Sequence, residues 1–258
     1  MATDDLRYKT LKDFGRILSI FESDQGEERS VSDIARLLEM LPSKVSRMMK
    51  TLQSEGLFER NPESGRYRTG GRFLQVGLLY VLNHPLRRII LPHVEQINKD
   101  FGLLTSWGIF RNLRVIVVDR LGPGEGHYMH PLGSGPPLHS SSYGKIFLAY
   151  QPPEEQERIL RSMNFQKLTA ATITDVKSIK QELARIRKRG YAFDDGGTQE
   201  GLVCLTTPVL NDSGDVAAAL TIGGRQPNLM KSRLSKLAPC LAEKTLFISR
   251  QLGYTSER

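Results

Sequence analysis

The amino-acid sequence predicts an α+β fold in two unequal parts. A small helical module closed by a hairpin comes first, and a larger region built on an antiparallel sheet with flanking helices follows. Three observations carry this expectation. Three apolar patterns of helical spacing succeed one another before Gly56 and lead into two short β-like runs. From Leu103 onward, several β-rich runs follow one another with too few helices between them for a doubly wound parallel sheet. The 258 residues are 39% hydrophobic, 25% charged and 7% aromatic, which is enough apolar material for a core and too much for a disordered or fibrous chain.

Taken in order, Leu11, Phe14, Ile17, Leu18 and Phe21 recur at helical spacing and predict an amphipathic helix over 6–22. The polar run 22–29 ends it. Ser30 and Asp33 stand as a capping box, a hydroxyl followed three residues later by a carboxylate, opening a short helix with Ile34, Ala35, Leu37 and Leu38 inward. Pro42 suits the first turn of a third helix, where Val45, Met48, Met49 and Leu52 form the buried stripe. Ser43, Lys44, Ser46, Arg47 and Lys50 are left facing out. Gly56 stops that helix, and strands over 57–60 and 66–69 are joined by Asn-Pro-Glu-Ser-Gly. Three helices and a hairpin in this order make a winged helix-turn-helix over residues 1–70.

Charge supports a nucleic-acid partner for this module. The chain has 36 Lys+Arg against 28 Asp+Glu, a formal net charge of +8. Within 41–72, Lys44, Arg47, Lys50, Arg60, Arg66, Arg68 and Arg72 face only Glu55, Glu59 and Glu63. Short hydroxyls and long cations on one helix face can reach base edges and phosphates in a major groove, so double-stranded DNA is the expected partner. Arg66 and Arg68 of the hairpin would add backbone contacts. The competing interpretation, a merely solvated face, is weakened by the absence of acidic residues between Pro42 and Glu55.

Residues 71–84 are apolar on more than one side, from Phe73 to Leu82, as expected of a linker or dimer helix. Pro85 and Pro92 bracket the passage into the next helix. Residues 103–110 and 113–120 predict a hairpin turning over Arg111-Asn112. Helices are expected near 141–151, 154–162 and 175–189, strands near 202–209 and 215–222, and a last helix over 231–252, with a kink or late start at Pro239. Gly122-Pro-Gly-Glu-Gly126 reads as a turn, because phosphate-binding glycines must open a helix and these do not. Arg185–Arg189 is the cationic end of a helix closed by Gly190.

Several classes are excluded. Five scattered histidines and two cysteines, Cys204 and Cys240, have no metal-ligand spacing, so neither a metal nor a cofactor is expected. No apolar run approaches the ~18 residues of a membrane helix, and the start has no leader pattern. A reducing cytoplasmic compartment is expected.

The sequence resembles the IclR family of bacterial transcriptional regulators. In the N-terminal part the resemblance rests on Ser-Asp-Ile-Ala-Arg-Leu-Leu (32–38), Pro-Ser-Lys-Val-Ser-Arg-Met-Met-Lys-Thr-Leu (42–52), Glu-Gly-Leu (55–57) and Gly-Arg-Tyr-Arg-Thr-Gly (65–70). It continues in Leu-His-Ser-Ser-Ser-Tyr-Gly-Lys (138–145), Thr-Ile-Thr-Asp (172–175), Arg-Lys-Arg-Gly-Tyr-Ala-Phe-Asp-Asp (187–195) and Gly-Leu-Val-Cys (201–204). The resemblance implies a GAF-like domain over 85–258 that binds a small organic effector, and dimers or tetramers on palindromic operators. By position it implies that Ser142, Tyr143, Asp194 and Cys204 line the effector pocket. Beside it, Ser140, Ser141 and Ser142 precede a helical run, where free N–H groups favour a carboxylate. The alternative is that they only cap the helix, Ser140 above all. Trp107 would add an aromatic wall or belong to the core.

Two departures from the family pattern, Gly196-Gly197 and Ser142-Tyr143, point to a polar or anionic metabolite with an aromatic or acyl part. The function expected is DNA binding controlled by such an effector, with no catalytic residues. An enzyme using Cys204 as nucleophile is the alternative, and Gly-Leu-Val-Cys-Leu-Thr-Thr-Pro-Val reads as a buried strand rather than a catalytic signature.

Overall fold

The structure, a computed structural model, describes residues 8–122 apart from 24–26, and 130–255 apart from 131, 134, 226–228 and 230. Most of the glycine-rich turn expected at 122–126, and His127 beyond it, lie outside the described residues. The chain divides into two compact units, Met1–Asn83 and His84–Arg258.

The first unit contains α1 (Lys9–Ser23), α2 (Val31–Leu38), α3 (Pro42–Ser54), β1 (Phe58–Arg60), β2 (Tyr67–Thr69) and α4 (Gly71–Asn83). The capping box forms: the Asp33 N–H donates to Ser30 Oγ at 3.1 Å and the Ser30 N–H to Asp33 Oδ2 at 3.2 Å. Helix α2 ends on Glu39 in the left-handed region, φ 54°, which turns the chain toward α3. Val45 and Met49 are fully buried with Ile17, Ile34 and Phe58, and Met48 and Leu52 pack partly buried against them. Leu37, expected inward, is 53% exposed, because the helical period puts Ile34, Ala35 and Leu38 on the inner face. The two strands pair antiparallel, Phe58 opposite Thr69. On α4, Leu74, Val76, Leu78, Leu79, Tyr80 and Leu82 are all exposed.

The second unit opens with α5 (Pro85–Phe101) and the hairpin β3 (Leu104–Arg111) and β4 (Arg114–Leu121). Then come α6 (Ser142–Ala149), α7 (Pro153–Ser162), α8 (Val176–Arg189), β5 (Ala192–Asp195), β6 (Leu202–Leu210), β7 (Val216–Arg225) and α9 (Lys231–Gln251). One five-stranded sheet in the order β4-β3-β7-β6-β5 is antiparallel at every pairing. Helices α6, α7 and α8 bury their apolar sides in one cluster with Val115, Val117, Ala192 and Ala219 of the sheet. Helices α5 and α9, bridged by Lys244 to Asp100 at 2.8 Å, pack on the sheet as well, and α9 does so mainly along β6.

Several expectations need correction here. Pro85 does open α5, as its first residue after the cap His84, but Pro92 lies inside the helix rather than bracketing it. Pro239 also sits inside its helix, α9, which starts at Lys231 as expected, so the proline causes no late start. The β3–β4 turn is Asn112-Leu113, one residue later than expected, with φ of 51° and 61°. A two-residue hairpin turn of the type that matches strand twist needs positive φ at both positions, which Asn tolerates and Arg111 avoids. Strand β5 was not foreseen, because four residues ending in two aspartates give no β pattern; its pairing with β6 makes it a strand.

Candidate functional site

Each unit presents one candidate surface. In the first, α3 shows Ser43, Arg47 and Lys50 to solvent, with Ser46 half-buried between them. Among the described residues, the side chains of Arg47 and Lys50 have no ion pair or hydrogen bond within the chain. The other expected cations are held. The Lys44 ammonium donates to Asp13 of α1. Arg66 Nη1 donates to the Glu28 carbonyl at 3.2 Å and sits 3.4 Å from Asp33 Oδ2. Arg68 closes on Glu59 Oε2 at 3.1 Å across the hairpin. The hairpin loop is itself fixed: Asn61 Oδ1 accepts from the Glu63 and Ser64 N–H groups at 2.9 and 3.1 Å, while Asn61 Nδ2 donates to Glu28 Oε1 at 2.9 Å. The hydrogen bonds from Asn61 and Ser64 hold the Glu28 carboxyl below its ordinary range.

In the second unit the candidate site is a buried polar cluster between α6 and the sheet. Residues opposite one another in neighbouring strands share a face, so Ser106, Thr221 and Thr206 form one row and Gly223, Cys204 and Asp194 the next row on the same face. Ser106 Oγ and Tyr143 Oη of α6 lie 2.7 Å apart. Thr206 Oγ1 donates to Ser142 Oγ at 2.7 Å and lies 2.6 Å from Thr221 Oγ1. Burial pushes the Tyr143 phenol far up, against the hydrogen bonds from Ser106 and Thr221. It stays a neutral hydroxyl.

Local sequence explains how α6 reaches the sheet. A Cβ on Gly144 would stand 2.3 Å from Leu138 Cα, so only glycine lets the preceding segment cross the helix there. Gly108 leaves the space the Tyr143 ring fills, a Cβ there lying 3.2 Å from its Cε1 and 2.9 Å from the Ile116 carbonyl oxygen. The helix cap is Ser141, not Ser140: its Oγ accepts from the Gly144 N–H at 3.0 Å and donates to the Pro137 carbonyl at 2.6 Å. Ser140 Oγ instead accepts from Thr198 Oγ1 at 3.1 Å.

At the β5 end the cluster becomes ionic. Asp194 Oδ1 accepts from the Gly197 and Thr198 N–H groups at 2.7 and 3.2 Å, and burial raises its carboxyl. The buried Lys145 ammonium donates to the Phe193 carbonyl, and burial lowers its pKa against the field of Asp194. Burial, with the charge of Asp194, pushes the Cys204 thiol well above its ordinary value. That is the reverse of the lowered pKa a nucleophilic cysteine needs.

The structure therefore brings Ser142, Tyr143, Asp194 and Cys204 to one face of the sheet, with Ser141 at the helix start above them. Trp107 is not among them. It pairs with Leu220 in the alternate row, so its ring turns to the opposite face, where it meets His84 edge-on at 5.8 Å. Sequence reasoning missed Ser106, Thr206, Thr221, Thr198 and Lys145. The signal available was hydroxyls alternating with apolar residues inside β-runs, together with a lysine in an otherwise apolar helix.

A winged helix with free cations on its third helix, joined to a sheet domain with a buried polar cluster, defines the class of two-part helix-turn-helix regulators. Residues 78–250 match the family described as bacterial transcriptional regulator IclR C-terminal, and residues 15–62 match the IclR helix-turn-helix domain. The chain belongs to the IclR family of bacterial transcriptional regulators. It is 27% identical to the HTH-type transcriptional regulator XynR of Escherichia coli strain K12 over 240 residues, 93% of this chain and 95% of that protein. The crystal structure of the Thermotoga maritima IclR, 27% identical, matches with a TM-score of 0.68 over 95% of this chain and 98% of that one. An IclR homologue from Microbacterium hydrocarbonoxydans, complexed with 4-hydroxybenzoate, is 24% identical and has the same fold, with a TM-score of 0.74 over 95% and 99% of the two chains.

Proposed function

We propose that the chain binds operator DNA through α3 and that a small organic metabolite in the second unit controls this binding. The observation that carries the DNA half is the pair Arg47 and Lys50, exposed on α3 and without an internal partner among the described residues. Groups in water with unspent charge are what phosphates and base edges require. Two such helices on a palindromic operator imply a homo-oligomer, dimer or tetramer. The six exposed apolar side chains of α4 support one, since a lone helix gains nothing by showing them to water.

The effector half is supported by the polar cluster beneath α6. Buried hydroxyls with one buried lysine and one buried carboxylate suit a polar or acidic organic molecule, and the reading is supported by the homologue of the same fold that is complexed with 4-hydroxybenzoate. Control then follows if the effector binds the DNA-competent and DNA-incompetent states unequally.

The test is a polarisation titration of the protein against the DNA upstream of its own gene, repeated with small carboxylic and hydroxybenzoic acids. Specific binding shifted by one compound is the expected result. Arg47→Ala should weaken operator binding by ~1–3 kcal/mol if it reads a base. Full specific binding in that variant overturns the assignment of α3.

A further inference from the structure

The cations of α3 differ in what holds them, and one carboxylate makes the difference. Asp13 lies on α1 with its side chain 6% exposed, and Oδ2 accepts from the Lys44 ammonium. Its Oδ1 is 3.7 Å from Arg16 Nη1, while Arg16 Nη2 donates to the Leu38 carbonyl at 2.7 Å. Three helices meet at this point: α1 supplies the carboxylate and the arginine, Leu38 is the last residue of α2, and Lys44 is the third residue of α3. Helix α3 has no side-chain cap at its start and no acidic residue in its first turn. The tie to Asp13 supplies from another helix what the sequence of α3 lacks.

A lysine already neutralised by a buried carboxylate has little charge left for a phosphate. Removing its ammonium strands a buried negative charge. Arg47 and Lys50, one and two turns further along α3, have no such carboxylate.

We propose that Asp13 is a positioning residue for the DNA-reading helix, acting through Lys44, and that Lys44 is a strut between helices rather than a phosphate contact. This rests on the DNA-binding function proposed above. The strut fixes the first turn of α3 against α1 and α2, and so sets where Arg47 and Lys50 project.

Two measurements on the full-length protein test it. In chemical unfolding, Lys44→Met and Asp13→Asn each lower the folding constant, and the double variant falls short of the product of the single effects by about fivefold or more. In DNA titrations over a range of salt, each lost phosphate contact reduces the slope of log affinity against log salt by about 0.9. Lys50→Ala loses that amount. Lys44→Met keeps the wild-type slope while binding the operator more weakly at every salt concentration.

A slope reduced in Lys44→Met as in Lys50→Ala overturns the strut, and so does an additive unfolding cycle. Absence of specific, salt-dependent binding by the wild-type protein overturns the DNA-binding function, and the positioning role with it. The unfolding cycle reads the ion pair without DNA, so the two failures are told apart.

Discussion

At the α3 surface the polar groups that matter stand in water, whereas beneath α6 they are shut away from it. The side chains of Arg47 and Lys50 are exposed and have no ion pair or hydrogen bond among the described residues, while Ser106, Tyr143, Ser142, Thr206 and Thr221 are each buried and each bonded to another hydroxyl. The contrast teaches where a mutation should register. An exposed cation costs the folded state almost nothing to remove, so its loss is read in binding alone. A buried hydroxyl leaves either a cavity or an orphaned partner, so its loss is read in stability first.

The largest expected effect breaks the buried side of this comparison. Tyr143→Ala removes a fully buried ring and should cost ~3–5 kcal/mol. Tyr143→Phe keeps the ring and leaves Ser106 with one partner fewer, costing ~1 kcal/mol. Denaturant melts of the pair decide it, and equal midpoints for both variants would show that the ring is not packed as described.

On the exposed side, Arg47→Ala should leave the denaturation midpoint within about 0.5 kcal/mol of wild type while operator affinity falls. A clear loss of stability there would mean that Arg47 has an internal partner, and the contrast between the two surfaces would collapse.

Ser30→Ala tests a feature between the extremes, a capping box that is half in water, and should cost ~1 kcal/mol. Hydrogen bonds from Ser30 hold the Asp33 carboxyl below its ordinary value. A carboxylate depressed on folding contributes stability that is complete above its unfolded pKa and is lost as pH falls through the folded one. The advantage of wild type over Ser30→Ala should therefore shrink on acidification through the carboxylate range. A gap constant with pH would separate the cap from Asp33.

The smallest effect has the opposite sign. Leu113 holds φ 61° in the β3–β4 turn, so Leu113→Gly should gain up to ~1 kcal/mol, read as a higher melting temperature of the second unit.

How much of this could be read from the chain depended on sequence distance. The capping box, the buried stripe of α3 and the wing are short-range patterns, and they led to the right elements in the right order. Lys44 looked like its neighbours Arg47 and Lys50 because Asp13, which sets it apart, is 31 residues away in sequence. Trp107 was expected to wall the pocket or to belong to the core; it is core, because its side is decided by pairing with Leu220, and a one-residue difference in register sends a side chain to the other face. Tyr143, Asp194 and Cys204 were legible only through the family resemblance, whereas Ser142 was also marked by its place just before a helical run. The threonines that complete their cluster belong to strands whose order no local pattern encodes.

The order of the strands also bears on how the protein is made. Strand β7 lies between β3 and β6 at the middle of the sheet, and Leu104 pairs with Gly223. A growing chain releases the β3–β4 hairpin early and must hold its apolar face open until the central strand emerges from the ribosome. The whole winged helix has left the ribosome well before that. During each round of synthesis the first unit is thus complete while the sheet of the second is still two unjoined pieces, and a message cut short before residue 225 would leave the β3–β4 hairpin without the whole strand that joins it to β6 and β5.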